Sequence, residues 1–223
     1  MSGRDQSAAA APEAPDLPGD LEPWTLPSLS HDAVLREVSL VDNELPDQHA
    51  SGVQLHGASV TDVDLSGSRL DHLEITDAEL RGSNLANVQA QRARALRVLA
   101  ANCRLTGLRL SEAHLRDVTI RDCRVDLASF GFSRLERVTF EDCILSGTDF
   151  LEAQLESVRF HRCDLTEGDF RGARLKRCEF RRTNLTGLQG VEHLRGSAME
   201  WPDIVEMAGV WAHALGINVL DAD

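Results

Sequence analysis

Five cysteines and eight histidines are the residues of this chain that could bind a metal or carry redox or nucleophilic chemistry. Cys103, Cys123, Cys143 and Cys163 recur every 20 residues, a regularity that invites a metal or redox interpretation. No pair has the Cys-x-x-Cys spacing of a zinc or redox site, and no histidine has an i, i+4 partner. The histidines are His31, His49, His56, His72, His114, His161, His193 and His213. The sequence also lacks a glycine-rich phosphate loop and a nucleophile elbow, so we expect no metal, no cofactor, no catalytic residue and no enzyme.

The charge of the chain excludes another class of function. The formal net charge is −13, and most of the acidic excess lies in residues 1–30 and 191–223. Binding to nucleic acid without sequence preference needs an excess of Lys and Arg, so we expect no direct nucleic-acid contact. No apolar run approaches the ~18 residues of a membrane span, and no signal-peptide pattern is present. The sequence predicts a cytoplasmic protein without membrane contact.

Apolar residues recur at every fifth position from Leu35 to Leu185 without a break in register. Neither an α-helix, with a period of 3.6, nor a single strand, with a period of 2, produces this pattern. A second period of 20 relates Phe130 to Phe150 and Phe170, and Phe140 to Phe160 and Phe180. Identical side chains at this spacing are expected to stack in successive turns. Four pentads then form one coil of a square β-solenoid.

Individual pentads resemble those of a known family. The segments AQL at 153–155, CDLT at 163–166, GARL at 172–175 and TNLTG at 183–187 resemble the pentapeptide-repeat family. The resemblance covers about residues 31–190 and implies an all-β fold, a right-handed quadrilateral parallel β-helix of about eight coils. At ~4.8 Å per coil such a rod is roughly 38 Å long. The chain has many arginines and a single lysine, Lys176, and in this composition it resembles high-GC actinobacterial members of the family.

The two ends have other patterns. Residues 1–30 are rich in Pro and acids and predict a mostly disordered tail, with Trp24 and Leu26 folding over the first coil as an N-cap. Residues 31–190 are expected to form the solenoid. Residues 191–223 are expected to form a capping and dimerisation helix and a tail, with Pro202 in the first turn and Gly216 as the stop.

The capping helix is predicted to be amphipathic, and its apolar stripe is expected to plug the last coil. Met207 and Val210 lie outside that stripe and leave a second apolar side, which favours a homodimer through the C-terminal end, as in some family members. The residues expected to form the cap or the dimer contact are Trp201, Ile204, Val205, Met207, Val210, Trp211 and Leu215. Elsewhere, Ala90, Ala95 and Ala100 are undersized for core centres, and we expect a weak but harmless layer there.

Any binding specificity of the rod must come from the side chains that point outward. Asp42 and Asp62 fall in one corner column, and Glu44, Asp47 and Asp64 lie across the adjoining corner. This acidic strip is either part of an ordinary mixed-charge surface or an array that imitates phosphates. The resemblance implies the second function, since some family members imitate duplex DNA, bind DNA gyrase and protect it. Further along the rod the first column becomes basic, which argues against a uniform mimic.

A second candidate surface is apolar. Leu127, Phe132, Ile144 and Leu151 fall on outward positions around one corner of neighbouring coils. An exposed apolar patch of this kind indicates a protein partner. The alternative hypothesis is therefore an adaptor that docks through this apolar corner and has no relation to topoisomerases.

Overall fold

The computed structural model describes residues 9–25 and 27–219, except for the side chain of His213, and contains one parallel sheet wound into a solenoid. Its strands are β1 (Glu22–Pro23), β2 (Val34–Arg36), β3 (Val38–Val41), β4 (Gln54–Thr61), β5 (Glu74–Arg81), β6 (Arg94–Ala101), β7 (His114–Arg121), β8 (Arg134–Glu141), β9 (Gln154–Glu156), β10 (Arg159–His161), β11 (Arg174–Lys176), β12 (Cys178–Arg181) and β13 (Ser197–Met199). From β2 to β12 the paired strand residues are 20 positions apart, as His114 and Arg134 are. The predicted parallel β-helix is confirmed.

Each coil has four sides. The strands form two of them, and isolated parallel bridges form the other two, in series that begin with Glu44 to Asp64 and His49 to Arg69. Where two sides meet, the chain turns sharply. Every fifth residue from Asp32 to Gly187 has a positive φ, between 49° and 72°, which is the left-handed region that Asp, Asn and Gly tolerate best. Corner residues 20 apart therefore form a column along each edge of the rod.

The phenylalanines stack in two columns inside the rod, as their 20-residue spacing predicts. Ring centroids lie 5.2 Å apart for Phe130 and Phe150, 4.8 Å for Phe150 and Phe170, 5.2 Å for Phe140 and Phe160, and 4.9 Å for Phe160 and Phe180. The two columns meet edge to face, and all six side chains are fully buried. The C-terminal half of the rod is thus filled by interlocking aromatic layers.

The cysteine column points into the same core. Cys103, Cys123, Cys143 and Cys163 are buried and unbonded to one another, and their thiols donate to backbone carbonyl oxygens. The Cys143 Sγ, for example, lies 3.4 Å from the Ile120 oxygen and 3.3 Å from the Glu141 oxygen. Burial raises the pKa of the Cys178 thiol to about 11. The five cysteine side chains are buried and fill space in the core.

An apolar cavity lies at the layer that contains Ala90, Ala95 and Ala100. Its volume is about 90 Å³, and the larger side chains around it include Ile75 and Leu115, which precede and follow Ala95 in the same column. The alanines are too small to fill the cross-section that leucine and isoleucine fill in the coils on either side. The weak layer predicted from the sequence is therefore a packing defect in the middle of the rod.

Residues 9–24, which we call the N-terminal strap, run lengthwise along the outside of the rod. At one end the Ala9 N–H donates to Glu179 Oε1 at 3.1 Å, and at the other the Glu22 N–H donates to the Glu37 oxygen at 2.7 Å. Trp24 is buried against the first coil.

The sequence predicts disorder for most of residues 1–30, whereas residues 9–25 have a defined position. The reason is that backbone N–H groups of the strap find carboxylate acceptors on the rod. Leu26, the other residue expected in the N-cap, lies outside the described residues, as do residues 1–8.

The C-terminal cap differs from the single helix that the sequence predicts. After a 3₁₀ turn (Val191–Leu194), the chain forms two short helices, α1 (Trp201–Glu206) and α2 (Ala208–Ala214), which are separated at Met207. The Arg182 N–H donates to Asp203 Oδ2 at 2.9 Å and so turns that side of α1 toward the rod. Met207, four residues further on, shares this side and is buried.

Replacing Phe150 by Ala is expected to lower the free energy of unfolding by about 3–5 kcal/mol, because a fully buried ring stacked on both sides leaves a cavity. Denaturant titration followed by circular dichroism measures the loss. Gln154→Ala, at an exposed position on the next side of the same coil, is the control and should change the value by less than about 0.5 kcal/mol. Equal losses in the two variants would contradict the stacked core.

Ala95→Leu is expected to raise the free energy of unfolding by about 0.5–2 kcal/mol, because the added methylene groups enter an existing apolar cavity. The matched control is Ala153→Leu, since Ala153 is fully buried among filled layers. Overpacking there should destabilise the rod by about 1–3 kcal/mol. The prediction fails if both variants lose stability.

The native protein is expected to leave its five cysteines unlabelled by a thiol reagent, and denaturation should expose all of them. The physical reason is that burial of all five side chains excludes the reagent. Absorbance of the released chromophore counts the reactive thiols. Rapid labelling of Cys123 or Cys143 in folded protein would disprove the inward register of this column.

Candidate functional site

The acidic strip (Asp42, Glu44, Asp47, Asp62 and Asp64) lies on the outside of the first coils. Asp42 and Asp62 are exposed residues of one corner column, one coil apart. Glu44 and Asp64 are bridged to each other on the adjoining side, and Asp47 occupies the corner after it. The structure therefore brings the five carboxylates onto one side and its two edges, in rows about 4.8 Å apart.

Local hydrogen bonds favour the ionised form of one member of the strip. The Ser66 N–H donates to Asp64 Oδ1 at 2.7 Å, and the Asn84 side chain donates to the same oxygen at 3.2 Å. The hydrogen bonding with Ser66 is the main reason that the pKa of Asp64 lies below its usual value, and Asn84 and Arg104 contribute less. Asp64 is thus fixed in position as well as charged.

The charge of the residues in these columns changes from negative to positive further along the rod. Asp64 is followed in its own column by Asn84, Arg104 and Arg124. In the column of Asp42, the Asp142 carboxylate is paired with the Arg162 guanidinium at 2.7 Å. Uncompensated negative charge is therefore concentrated at the N-terminal end of the rod.

The apolar corner (Leu127, Phe132, Ile144 and Leu151) lies further toward the C-terminal end. Leu127 and Phe132 occupy successive corners of one coil and are 68% and 57% exposed. Leu151 is half-buried, and its carbonyl oxygen accepts the Phe132 N–H at 2.8 Å. Ile144, 43% exposed, lies on a different side, between Arg124 and Asp164. Three of the four residues therefore border one side, and Ile144 lies around the edge.

The predicted plugging stripe of the C-terminal helix is wrong for four of its large side chains and holds for Trp211. Trp201 and Leu215, which should face the last coil, are 73% and 77% exposed, and Val205 and Ile204 are exposed as well. Met207, outside the predicted stripe, is buried, and Val210 and Trp211 are half-buried against the core. Because the chain breaks at Met207, the two short helices do not follow one helical wheel. A cavity of about 430 Å³ remains beside Trp211 and Met199 at the end of the rod.

Two further findings concern metal binding and membrane crossing. Within residues 9–25 and 27–219, no group of three or more His, Cys, Asp or Glu side chains is placed to hold a metal ion. In the same described ranges, no helix has the length and apolar character required to cross a membrane.

Sequence reasoning missed the N-terminal strap and its acceptors on the rod, Asp77 and Asp117. Their guanidinium partners, Arg97 and Arg137, lie one coil further along the same corner column. The signal that could have found the strap is the spacing of Pro12, Pro15 and Pro18, one every three residues.

Family models match most of the solenoid. A model described as "Pentapeptide repeat region" matches residues 73–150, 93–167 and 128–189. A second model, described as "Pentapeptide repeats (8 copies)", matches residues 51–87. No curated protein matches the sequence at a significant level.

Solved structures with related folds have low sequence identity. A trypsin-treated form of QnrB1, a plasmid-mediated fluoroquinolone resistance protein, is 18% identical with a TM-score of 0.39, over 82% of this chain and 99% of that one. HetL, a pentapeptide repeat protein involved in heterocyst differentiation regulation from the cyanobacterium Nostoc sp. strain PCC 7120, is 16% identical with a TM-score of 0.31, over 76% of this chain and 90% of that one. Rfr23, a pentapeptide repeat protein from the cyanobacterium Cyanothece 51142, is 15% identical with a TM-score of 0.16, over 73% and 88%.

Proposed function

Because this chain belongs to the pentapeptide-repeat family, we propose that it is a non-enzymatic, cytoplasmic binding protein whose partner is another protein. The support is that its distinctive charged and apolar side chains are displayed on the outside of a rigid rod. A rod of this kind presents side chains at fixed intervals set by its hydrogen-bonded coils. Recognition then depends on the pattern along its columns.

The specific partner we propose is DNA gyrase, a type II topoisomerase, which the rod binds as a mimic of duplex DNA and thereby modulates or protects. The observation that carries this proposal is the acidic strip, whose carboxylates repeat from Asp42 to Asp62 and from Glu44 to Asp64 at coil spacing. The coil spacing of about 4.8 Å is of the same order as the ~3.4 Å of helix axis per phosphate on one DNA strand. A basic groove that binds DNA would attract such an array.

The proposal includes a homodimer through the C-terminal end. Its support is the exposure of Trp201, Val205 and Leu215 on the two short helices beyond the last coil. Pairing of these faces would place two rods end to end and an acidic strip near each outer end.

Reversing Asp42, Glu44 and Asp62 to Lys is expected to abolish inhibition of gyrase supercoiling, because the charge attraction changes sign. Asp64 is left intact, since its carboxylate also holds the local turn through the Ser66 N–H. Gel electrophoresis of plasmid topoisomers measures inhibition. For the unmodified protein, inhibition should weaken steeply as salt rises, because exposed charges are screened beyond ~8 Å at physiological ionic strength.

The matched control reverses three other exposed corner acids, Glu112, Glu152 and Glu167, and so changes the net charge equally. This variant is expected to retain more than half of the inhibition. Equal loss of inhibition in the two triple variants would show that inhibition depends on the net charge of the protein and not on the acidic strip. Absence of inhibition by the unmodified protein would refute the gyrase proposal.

The second candidate function is an adaptor that docks through the apolar corner. The observation that favours it is the exposure of Leu127 and Phe132 on two edges of the same side. The same experiment separates the candidates: Phe132→Ser should leave gyrase inhibition unchanged if the acidic strip binds, and should remove partner binding if the apolar corner does. Apolar burial is hardly screened by salt, so adaptor binding should persist at high ionic strength.

A further inference from the structure

The N-terminal strap contacts the rod once every three residues. Its buried or half-buried residues include Ala9, Pro12, Pro15, Pro18, Leu21 and Trp24, and apart from Leu17 the residues between them are exposed. Three residues per turn is the period of the polyproline II helix, and each proline fixes its own φ near the value this helix needs. The strap therefore turns one edge of an extended helix toward the rod.

The spacing of the rod matches the spacing of the strap. The Glu13 N–H donates to Asp117 Oδ1 at 3.2 Å, and the Asp16 N–H donates to Asp77 Oδ1 at 3.0 Å. The donors are three residues apart, and the acceptors are two coils apart in one corner column. Three residues of polyproline II advance about 9.3 Å, and two coils advance about 9.6 Å. The strap and the corner column therefore advance in step between these two contacts.

The receiving surface is built by the rod itself. The Arg97 guanidinium binds both Asp77 oxygens at 2.6 Å, and Arg137 binds both Asp117 oxygens at 2.6 Å. Each carboxylate is thus held from one side by an arginine and accepts a strap N–H from the other. The Asp117 side chain is 1% exposed. These pairs link neighbouring coils and do not need the strap to form.

The chemistry of the surface selects for two features of a peptide. Acceptance of backbone N–H groups by Asp77 and Asp117 requires an extended chain whose N–H groups are free, which polyproline II provides. The surface also favours acidic residues at these positions, because Glu13 and Asp16 bind carboxylates that are themselves paired with arginines. The pKa values of Arg97 and Arg137 are raised, first by their hydrogen bonds to Asp77 and Asp117 and in addition by the nearby Glu13 charge.

We propose that this corner column is a binding site for extended, proline-rich, acidic peptides, and that residues 9–19 occupy it as an intramolecular ligand. A protein partner with a segment of the same chemistry would compete with the strap for this surface. The site is separate from the acidic strip and from the apolar corner. Its test is therefore independent of gyrase binding.

The test uses the full chain with a protease recognition sequence inserted after Gly19, where no atom lies within 4 Å of an added Cβ. After cleavage, a fluorescent synthetic peptide of residues 9–19 is added, and its anisotropy is measured. We expect saturable binding to the cleaved rod, at least tenfold tighter than to the uncleaved chain. A scrambled peptide of the same composition, with the prolines out of the three-residue period, should bind at least tenfold more weakly. No binding at ~1 mM, or equal binding of both peptides, would overturn the proposal.

Variants of the acceptor give a second test on the intact chain. Asp117→Asn should weaken peptide binding to the cleaved rod and should increase hydrogen exchange of the Glu13 N–H at least tenfold in the uncleaved protein. The matched control is Asp142→Asn, because Asp142 lies in the next corner column, makes the same pair with an arginine one coil away, and accepts no hydrogen bond from residues 9–25. This control should leave both measurements unchanged. Unprotected Glu13 and Asp16 N–H groups in the intact, folded chain would refute the proposal even if the cleaved rod fails to fold.

Discussion

The hydrogen bond from each coil to the next is the interaction on which the whole molecule depends. On every side of the rod a backbone N–H donates to a carbonyl oxygen 19 residues further along, as from Leu45 to Asp64 at 2.7 Å and from Leu145 to Asp164 at 2.7 Å. This fixed offset keeps residues 20 apart directly above one another. The columns of phenylalanine and cysteine inside, and of charges outside, all follow from it.

Because surface residues are arranged in columns, a single substitution also affects the residue at the same position on the next coil. A charge on one coil is at van der Waals or ion-pair range of the same position on the next coil, so like charges repel and opposite charges link coils. The rod uses both arrangements: Asp42 and Asp62 repeat the same charge, whereas Asp142 and Arg162 alternate it. Within residues 9–25 and 27–219, Asp42 and Asp62 form no ion pair, and this repetition of like charge is the reason that we propose the acidic strip as a binding surface.

The five-residue period was sufficient to predict the solenoid, its core positions and the phenylalanine columns, because each of these follows from register alone. The strap could not be found in this way. Its Pro-rich and acidic composition is typical of disorder, and its acceptor Asp117 lies 104 residues away, where no local pattern indicates it. The break at Met207 was missed for a related reason. The orientation of α1 is set by a tertiary contact, from the Arg182 N–H to Asp203, and not by the apolar stripe.

The contact between Ala9 and Glu179 also fixes an order of events during synthesis. The two residues are 170 positions apart, so the strap leaves the ribosome long before its terminal acceptor exists. Coils can form one after another from the N-terminal end as the chain emerges, because each needs only its neighbour. At 5–20 residues per second, the strap waits roughly 10–30 s for its last contact. Full docking of the strap therefore has to follow formation of the coil that carries Glu179, and it distinguishes a chain with this coil in place from one that is still too short.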